Sequence, residues 1–248
     1  MFIAERKKKI IEMIQENGNV QVEKLAEDLG VSTMTIRRDL KKLKDEGIIE
    51  RCYGGAVIKQ EVTYADKQIN NKKSKEQIAS KCAEHVKADN VVFLDAGTTT
   101  YEIARMISSI PGLLVVTNDL EIAQLLKNSD VELIVCGGTV QKTTGSMYGY
   151  YATQMMENFQ FDIGFFGAAS IDRNMQVLTP TIEKVFFKRL IMKNCKQLYL
   201  AVDNSKFNKK AMSKVSNLSD YTAVVTDYKF SENELDRLVK DGVKIISV

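Results

Sequence analysis

The stretch Val22–Ala56, VEKLAEDLGVSTMTIRRDLKKLKDEGIIERCYGGA, decides how the N-terminal part of the chain folds. Val22, Leu25, Ala26 and Leu29 share one face of a short helix, which Gly30 breaks, because glycine tolerates the left-handed backbone that ends helices. After Val31, Ser32 is an N-cap for a longer helix over Thr33–Glu46, its hydroxyl accepting from an N–H of the first turn. Thr35 stands where Glu or Gln would complete a capping box. Ile36, Leu40 and Leu43, spaced i, i+4 and i+7, turn one face of this helix inward, and Gly47 stops it. Ile48–Cys52 and Ala56–Ile58 then pair as strands about Tyr53-Gly54-Gly55, forming a small wing.

Upstream, Ile10, Ile11 and Ile14 stripe a first helix over Ile3–Glu16, which Asn17-Gly18 ends. Three helices and a hairpin predict a winged helix-turn-helix over residues 1–58. With its apolar residues inward, the third helix shows Thr33, Thr35, Arg38, Lys41 and Lys42 outward, with Arg37 at the edge. Net charge over the whole chain is only +3, so distribution matters more than total. Residues 33–44 concentrate Arg37, Arg38, Lys41, Lys42 and Lys44 against the single Asp39, and Arg6–Lys9 add a second basic run. Charge runs are commonly just solvated helix faces, but this one lies on a helix whose width fits the DNA major groove. On that reading, Thr33 and Thr35 at the helix start reach base edges or thymine methyls, Arg38 pairs with guanine, Lys41 and Lys42 meet phosphates, and Ser32 and Arg37 border the same DNA-binding surface. Arg51 and Tyr53 of the wing face the backbone or the minor groove.

The 248 residues, 44% apolar and 27% charged, suit one large or two modest globular domains. No apolar run approaches the ~20 residues that span a bilayer, and the start, MFIAERKKKII, mixes acid and base ahead of any apolar stretch, unlike a secretory signal. A cytoplasmic location and no membrane partner are expected. Cys52, Cys82, Cys136 and Cys195 are scattered, without a CxxC pair, and His85 has no ligating neighbour at i+3 or i+4. The expectation is free, buried or half-buried thiols, no metal and no cofactor.

Residues 59–73 are polar and read as a linker, with a helix beginning near Ser74. From there, β-branched runs alternate with helical stretches: Val91–Asp95, Leu113–Asn118, Val131–Cys136, Ile163–Gly167, Leu198–Asp203, Ala223–Asp227 and Lys244–Ser247. That alternation predicts an α/β unit over 74–248, a Rossmann-like, mostly parallel sheet with crossover helices. Ligands of such sheets bind beyond the carboxyl ends of the strands, and polar residues gather at those ends. They are Asp95-Ala96-Gly97-Thr98-Thr99-Thr100, Thr117-Asn118, Gly137-Gly138 and Asp203-Asn204-Ser205-Lys206. At the first, a glycine lets the backbone approach an anion while threonines and the N–H groups of a helix start donate to it. Taken alone, Gly97–Thr100 is equally an ordinary strand-to-helix turn; its repetition at four strand ends favours a ligand. Lys206 supplies a fixed positive charge. Neither GxxxxGK[ST] nor GxGxxG occurs, which disfavours a nucleotide triphosphate loop and a dinucleotide.

Val31-Ser32, Thr35-Ile36-Arg37-Arg38-Asp39-Leu40, Arg51 and Gly54-Gly55-Ala56 together resemble the signature of the DeoR-type repressors, with Tyr53 where that family commonly has histidine. The resemblance runs over nearly the whole chain. It implies that residues 74–248 form a sugar-phosphate sensor similar in fold to ribose-5-phosphate isomerase and glucosamine-6-phosphate deaminase. It also implies that Gly97-Thr98-Thr99 holds phosphate and that Asp203-x-Ser205-Lys206 is the family's aspartate–serine–lysine segment. The loop and helix over 179–189 normally carry an acidic residue before a Lys-Arg pair; Glu183 takes that part, about one residue out of register with Lys188-Arg189. Asp172 is a partner for a sugar hydroxyl, and Thr139–Gly149 is a loop near the pocket mouth.

The leading expectation is a homo-oligomeric repressor, dimer or tetramer, that binds a double-stranded operator and responds to a sugar phosphate. A phosphosugar isomerase or deaminase with a DNA-binding appendage is the alternative. The sole histidine outside the pocket candidates and the displaced acid weigh against it. A third possibility is a constitutive DNA-binding protein whose C-terminal part only oligomerises.

Overall fold

The computed structural model describes residues 2–17, 19–46, 48–52, 55–58 and 63–248. The N-terminal unit comprises α1 (Ile3–Asn17), β1 (Asn19–Gln21), α2 (Val22–Leu29), α3 (Thr33–Asp45), β2 (Ile49–Cys52) and β3 (Gly55–Ile58). Its core joins Ile10 and Ile14 of α1, Val22, Leu25 and Ala26 of α2 and Ile36, Leu40 and Leu43 of α3. Helix bounds fall within a residue of those predicted. Ser32 caps α3 as expected, accepting from Thr35 N at 3.2 Å. Gly30 ends α2 at φ 63°, its N–H turned back onto Ala26 and Glu27.

Two features differ from the sequence reading. The wing has a third strand: β1 pairs antiparallel with β3, Val20 opposite Ala56 and Gln21 opposite Gly55. Three residues are too few to show a period. This pairing also explains Gly55, since a Cβ there would lie 1.9 Å from the Val20 carbonyl oxygen. The second feature is a buried ion pair, Arg6 Nε to Asp39 Oδ2 at 2.6 Å, which fastens α1 to α3. Both side chains are almost wholly buried, so Arg6 does not share the surface of the basic run 6–9 in which the sequence counted it. The expected stops at Gly18 and Gly47, and the wing residues Tyr53 and Gly54, lie outside the described residues.

The remaining chain runs α4 (Tyr64–Ile69), α5 (Lys72–Ala83), β4 (Val91–Leu94), α6 (Thr98–Ile107), β5 (Leu114–Thr117), α7 (Leu120–Leu126), β6 (Glu132–Val135), β7 (Thr139–Val140), β8 (Met147–Tyr148) and α8 (Tyr150–Met156). It continues through β9 (Phe161–Phe166), β10 (Ser170–Ile171), β11 (Gln176–Thr179), α9 (Ile182–Lys193), β12 (Cys195–Ala201), β13 (Ser213–Asn217), β14 (Ala223–Thr226), α10 (Glu232–Lys240) and β15 (Lys244–Ser247). Seven strands form one parallel sheet in the order β15-β14-β12-β9-β4-β5-β6. All seven predicted strands are present, most trimmed where their polar ends leave the ladder. Alternate residues serve opposite faces: Phe93, Val116, Phe166, Leu200 and Val224 join the core under α8, α9 and α10. Val92, Val115, Phe165, Tyr199 and Val225 join the core under α5, α6 and α7.

After β6 the chain crosses back past β4 to lay down β9 on the other side. The order therefore reverses between β4 and β9, where crevices open in such sheets. Over this end lies a small antiparallel sheet, β10-β11-β13, that the sequence did not reveal. The expected loop 139–149 is a short ribbon of β7 and β8. The expected linker also needs correcting. Residues 59–62 lie outside the described residues, but 64–69 form α4, and α5 begins at Lys72 rather than near Ser74.

Candidate functional site

Two surfaces carry the chemistry. On α3, Thr33, Met34, Arg37, Arg38, Lys41, Lys42 and Lys44 are exposed opposite the buried Ile36, Leu40 and Leu43. Thr35 is half-buried, and its hydroxyl lies 2.9 Å from Ser32 Oγ. The start of α3 is thus tied down by two side chains that still border the exposed face. Arg51 is exposed on β2. Every described residue predicted to contact DNA therefore sits on the side of α3 away from the core, at its N-terminus or on the wing. This is the arrangement in which a second helix enters the major groove and its first turns meet base edges.

The second surface is a pocket at the switch point of the large sheet. Its walls come from the turn after β4 (Asp95–Thr100), Asn118 after β5, Ser146, Gly167–Ala169 after β9, Val177–Thr179 of β11, Lys184, Phe187 and Lys188 of α9, Lys206 and Lys67. Among the described residues of the lining, four are lysines and one is an aspartate. Asp95 is buried and committed: its Oδ2 accepts from Gly167 N at 3.2 Å and from Lys188 Nζ, which also donates to Gly167 O at 3.0 Å. The Asp95–Lys188 pair therefore fastens β4, β9 and α9 together.

At the start of α6, Thr98, Thr99 and Thr100 are buried. The first N–H groups of a helix have no intrahelical acceptor, and here they open into the crevice with the positive end of the helix dipole behind them. Thr100 Oγ1 donates to Gly97 O at 2.8 Å; the hydroxyls of Thr98 and Thr99 have no hydrogen-bond partner among the described residues. Gly97 itself departs from the expected role. Its backbone is extended, a Cβ there would meet nothing closer than Thr100 Oγ1 at 3.5 Å, and its N–H is spent on Asp119 Oδ2 at 2.9 Å. Asp119 also caps α7, and burial raises its pKa to about 6 against the pull of these N–H groups.

Asn118 is buried, donates to Met147 O at 3.0 Å and has its Oδ1 left without a partner. At the far side, Lys206 is half-buried beside the buried Asp203. Burial lowers Lys206 to about 8; Asp203 opposes the shift, while Lys67, Lys75 and Lys209 add to it. Burial pushes Asp203 upward, but Lys206, Ser205 and Asn71 outweigh it and hold the carboxyl below its usual range.

The structure thus gathers Asp95, Gly97, Thr98, Thr99, Asn118 and Lys206 as expected. It does not gather the other predicted effector residues. Thr117 is buried within the sheet, its hydroxyl spent on Leu94 O. Gly137 and Gly138 are exposed and outside the lining; Gly138, at φ 142°, serves a close approach to Tyr148 O, 2.6 Å from where a Cβ would sit. Asp172 organises the β10–β11 turn, accepting from Asn174 N and Gln176 N at 2.9 Å each. Glu183 is exposed on the outer face of α9. One turn of helix explains where Glu183 falls: Lys184 and Lys188, at i and i+4, share the face toward the pocket, and Glu183 precedes it. That spacing was readable in the sequence; nothing local could have flagged Lys67.

Among the described residues no group of His, Cys, Asp and Glu is placed to hold a metal ion, and no helix is long and apolar enough to cross a membrane. Cys82, Cys136 and Cys195 are free thiols, which burial pushes up, Cys136 to about 11. His85 is half-buried, its ring 4.8 Å from that of Tyr199.

A basic recognition helix joined to a ligand crevice in a parallel sheet defines a ligand-responsive DNA-binding regulator. Comparison with known proteins agrees. Residues 6–62 match the DeoR-like helix-turn-helix domain and residues 70–228 the DeoR C terminal sensor domain. The chain belongs to the DeoR family of transcriptional regulators. It is 34% identical to the HTH-type transcriptional regulator GlpR of Haloferax volcanii over 250 residues, covering 99% of this chain and 98% of that one. It is 33% identical to the glycerol-3-phosphate regulon repressor of Escherichia coli over 222 residues, 88% of each chain. A solved ribose 5-phosphate isomerase A from Methanocaldococcus jannaschii overlaps in part, with TM-score 0.42 and 17% identity over 57% of this chain and 56% of that one.

Proposed function

We propose that the protein is a repressor of sugar metabolism genes whose hold on its operator is set by a phosphorylated sugar bound in the crevice between β4 and β9. The observation that carries this reading is the combination at one site of a lysine-rich lining, the open N–H groups of α6 and the orphaned Asn118 Oδ1. Lysines and helix N–H groups suit a phosphate dianion. An unpartnered buried acceptor suits a sugar hydroxyl, since leaving it unmatched costs about 1–3 kcal/mol.

In this reading residues 1–58 read DNA and 74–248 sense the effector, with 59–73 between them, and the protein works in the cytoplasm. A homo-oligomer, dimer or tetramer, would place two α3 helices on a two-fold operator. The effector acts by preferring one arrangement of the assembly, because a ligand with equal affinity for both shifts nothing. The test is anisotropy of labelled DNA from upstream of the gene, titrated with protein at fixed salt, with and without a panel of pentose and hexose phosphates. One phosphate that shifts the affinity while its parent sugar does not is the expected result. DNA binding indifferent to every phosphate would sink the sensor reading, and turnover of a phosphosugar would favour the enzymatic alternative.

A further inference from the structure

The outer sides of α8 and α9 carry apolar surface that neither the DNA-reading face nor the crevice uses. Tyr150 and Tyr151, at the start of α8, are 71% and 79% exposed, and their rings meet edge-on with centroids 5.5 Å apart. On α9 the exposed Ile182 and Phe186 stand at i and i+4, so they share one stripe of the helix. α9 turns Lys184, Phe187 and Lys188 toward the crevice and Val185 and Ile191 into the core, which leaves that stripe outward. The two helices are neighbours: α8 packs against α9, with Ala152, Met156 and Val185 in one core cluster. Gln141 Nε2 reaches Thr181 Oγ1 at 3.4 Å, which brings the β7–β8 ribbon, with its exposed Val140, to the start of α9.

We propose that this face is the contact between two copies of the chain, with their α9 helices antiparallel across a twofold axis. The inference rests on the homo-oligomer proposed above and deepens it by naming the surface. Single exposed apolar residues need no explanation, but a patch of them marks an interaction site, and Tyr and Phe are enriched at protein interfaces. Area suits a second copy. Phe186 is 67% exposed, and aromatic side chains of ~150–250 Å² each make the three rings worth about 400 Å² on one copy. Two copies double that, and Val140, Ile182 and a polar rim carry it to the ~1,000 Å² of a specific interface. Charge suits it too. α9 has Glu183 in its first turn and Lys193 in its last, both exposed. A twofold interface presents the same patch twice. Antiparallel α9 helices therefore set Glu183 of each copy toward Lys193 of the other, and their dipoles oppose. A parallel pairing would set like charges together. Glu183, outside the crevice, thereby acquires a role.

The test is sedimentation of the full chain over a range of protein concentrations, with circular dichroism to confirm that each variant is folded. Wild type is expected to self-associate. Phe186→Glu and Tyr151→Glu should each weaken one association step about tenfold or more, as loss of a central aromatic contact does. Glu183→Lys and Lys193→Glu should each weaken the same step, and the double variant, with both charges exchanged, should recover it. The charge variants remove no apolar side chain, so they decide the matter even if the aromatic variants misfold. Association unchanged in Phe186→Glu and Tyr151→Glu would overturn the inference, while the homo-oligomer stands on another face. A double charge variant no better than either single one would overturn the antiparallel arrangement. A wild type that stays monomeric at every concentration, yet binds operator, would remove the homo-oligomer itself and the inference with it.

Discussion

The outer face of α3 and the crevice between β4 and β9 are both basic, yet they were built by different routes. On α3 the functional side chains fall within ten consecutive residues, and their outward direction is the complement of the apolar stripe formed by Ile36, Leu40 and Leu43. The crevice draws Asp95, Asn118, Lys184, Lys188, Lys206 and Lys67 from five segments spread over 140 positions of sequence. Its charge is set by pairing that no local pattern announces. Asp95 cancels Lys188, Asp203 sits beside Lys206, and Lys75 is turned onto backbone carbonyls. A surface generated by one helix can be altered one residue at a time, whereas a surface assembled at a switch point responds as a network.

The largest expected effect challenges the idea that α3 owes its presentation only to apolar packing. Arg6→Ala leaves the carboxylate of Asp39 buried without its partner, and losing one member of a buried pair costs about 3–5 kcal/mol. Amide exchange in α1–α3 should approach unfolded rates; near-native protection would show that the pair contributes little.

Arg38→Ala should cost about 1–3 kcal/mol of operator affinity and relax preference at one base pair, if it reads guanine. Lys41→Ala should weaken all sequences alike and lower the salt slope by about one unit. Anisotropy against operator and scrambled DNA separates the two, and identical behaviour of the variants would erase the division between base and phosphate contacts along α3.

The crevice predicts a pH dependence that α3 lacks. Burial holds Lys206 at about 8, and a bound dianion favours its charged form. Binding therefore takes up a proton above pH 8, and effector affinity should fall by up to about tenfold per pH unit there. Below about pH 6 phosphate loses charge and affinity should fall again. Calorimetry in two buffers of different ionisation enthalpy measures the uptake, and Lys206→Gln should flatten the alkaline limb. A limb that persists in that variant would assign the proton to another lysine.

The smallest effect is the sharpest check on where the crevice ends. Glu183→Gln changes an exposed side chain outside the lining, and Gly137→Ala adds a methyl with nothing within 4 Å. Both should bind the effector as wild type does. A tenfold loss in either would mean that the pocket extends beyond the described walls.

The sequence by itself determined the three helices, the capping of α3 by Ser32, the face α3 presents and all seven strands of the parallel sheet. Each is written in a local period or a cap, and a helix or strand exposes its own repeat whatever lies beyond it. It also placed the Gly97–Thr100 turn and Lys206 at strand ends. Tertiary structure alone decided the rest. It buried Arg6 against Asp39, a partner 33 positions away. It made Gly55 a close-approach residue by bringing β1 alongside. It excluded Thr117, Gly137, Gly138, Asp172 and Glu183 from the crevice and brought in Lys67, Lys184 and Lys188. Those outcomes depend on strand order and on which charges find each other at low dielectric, and neither is set by residues adjacent in the chain.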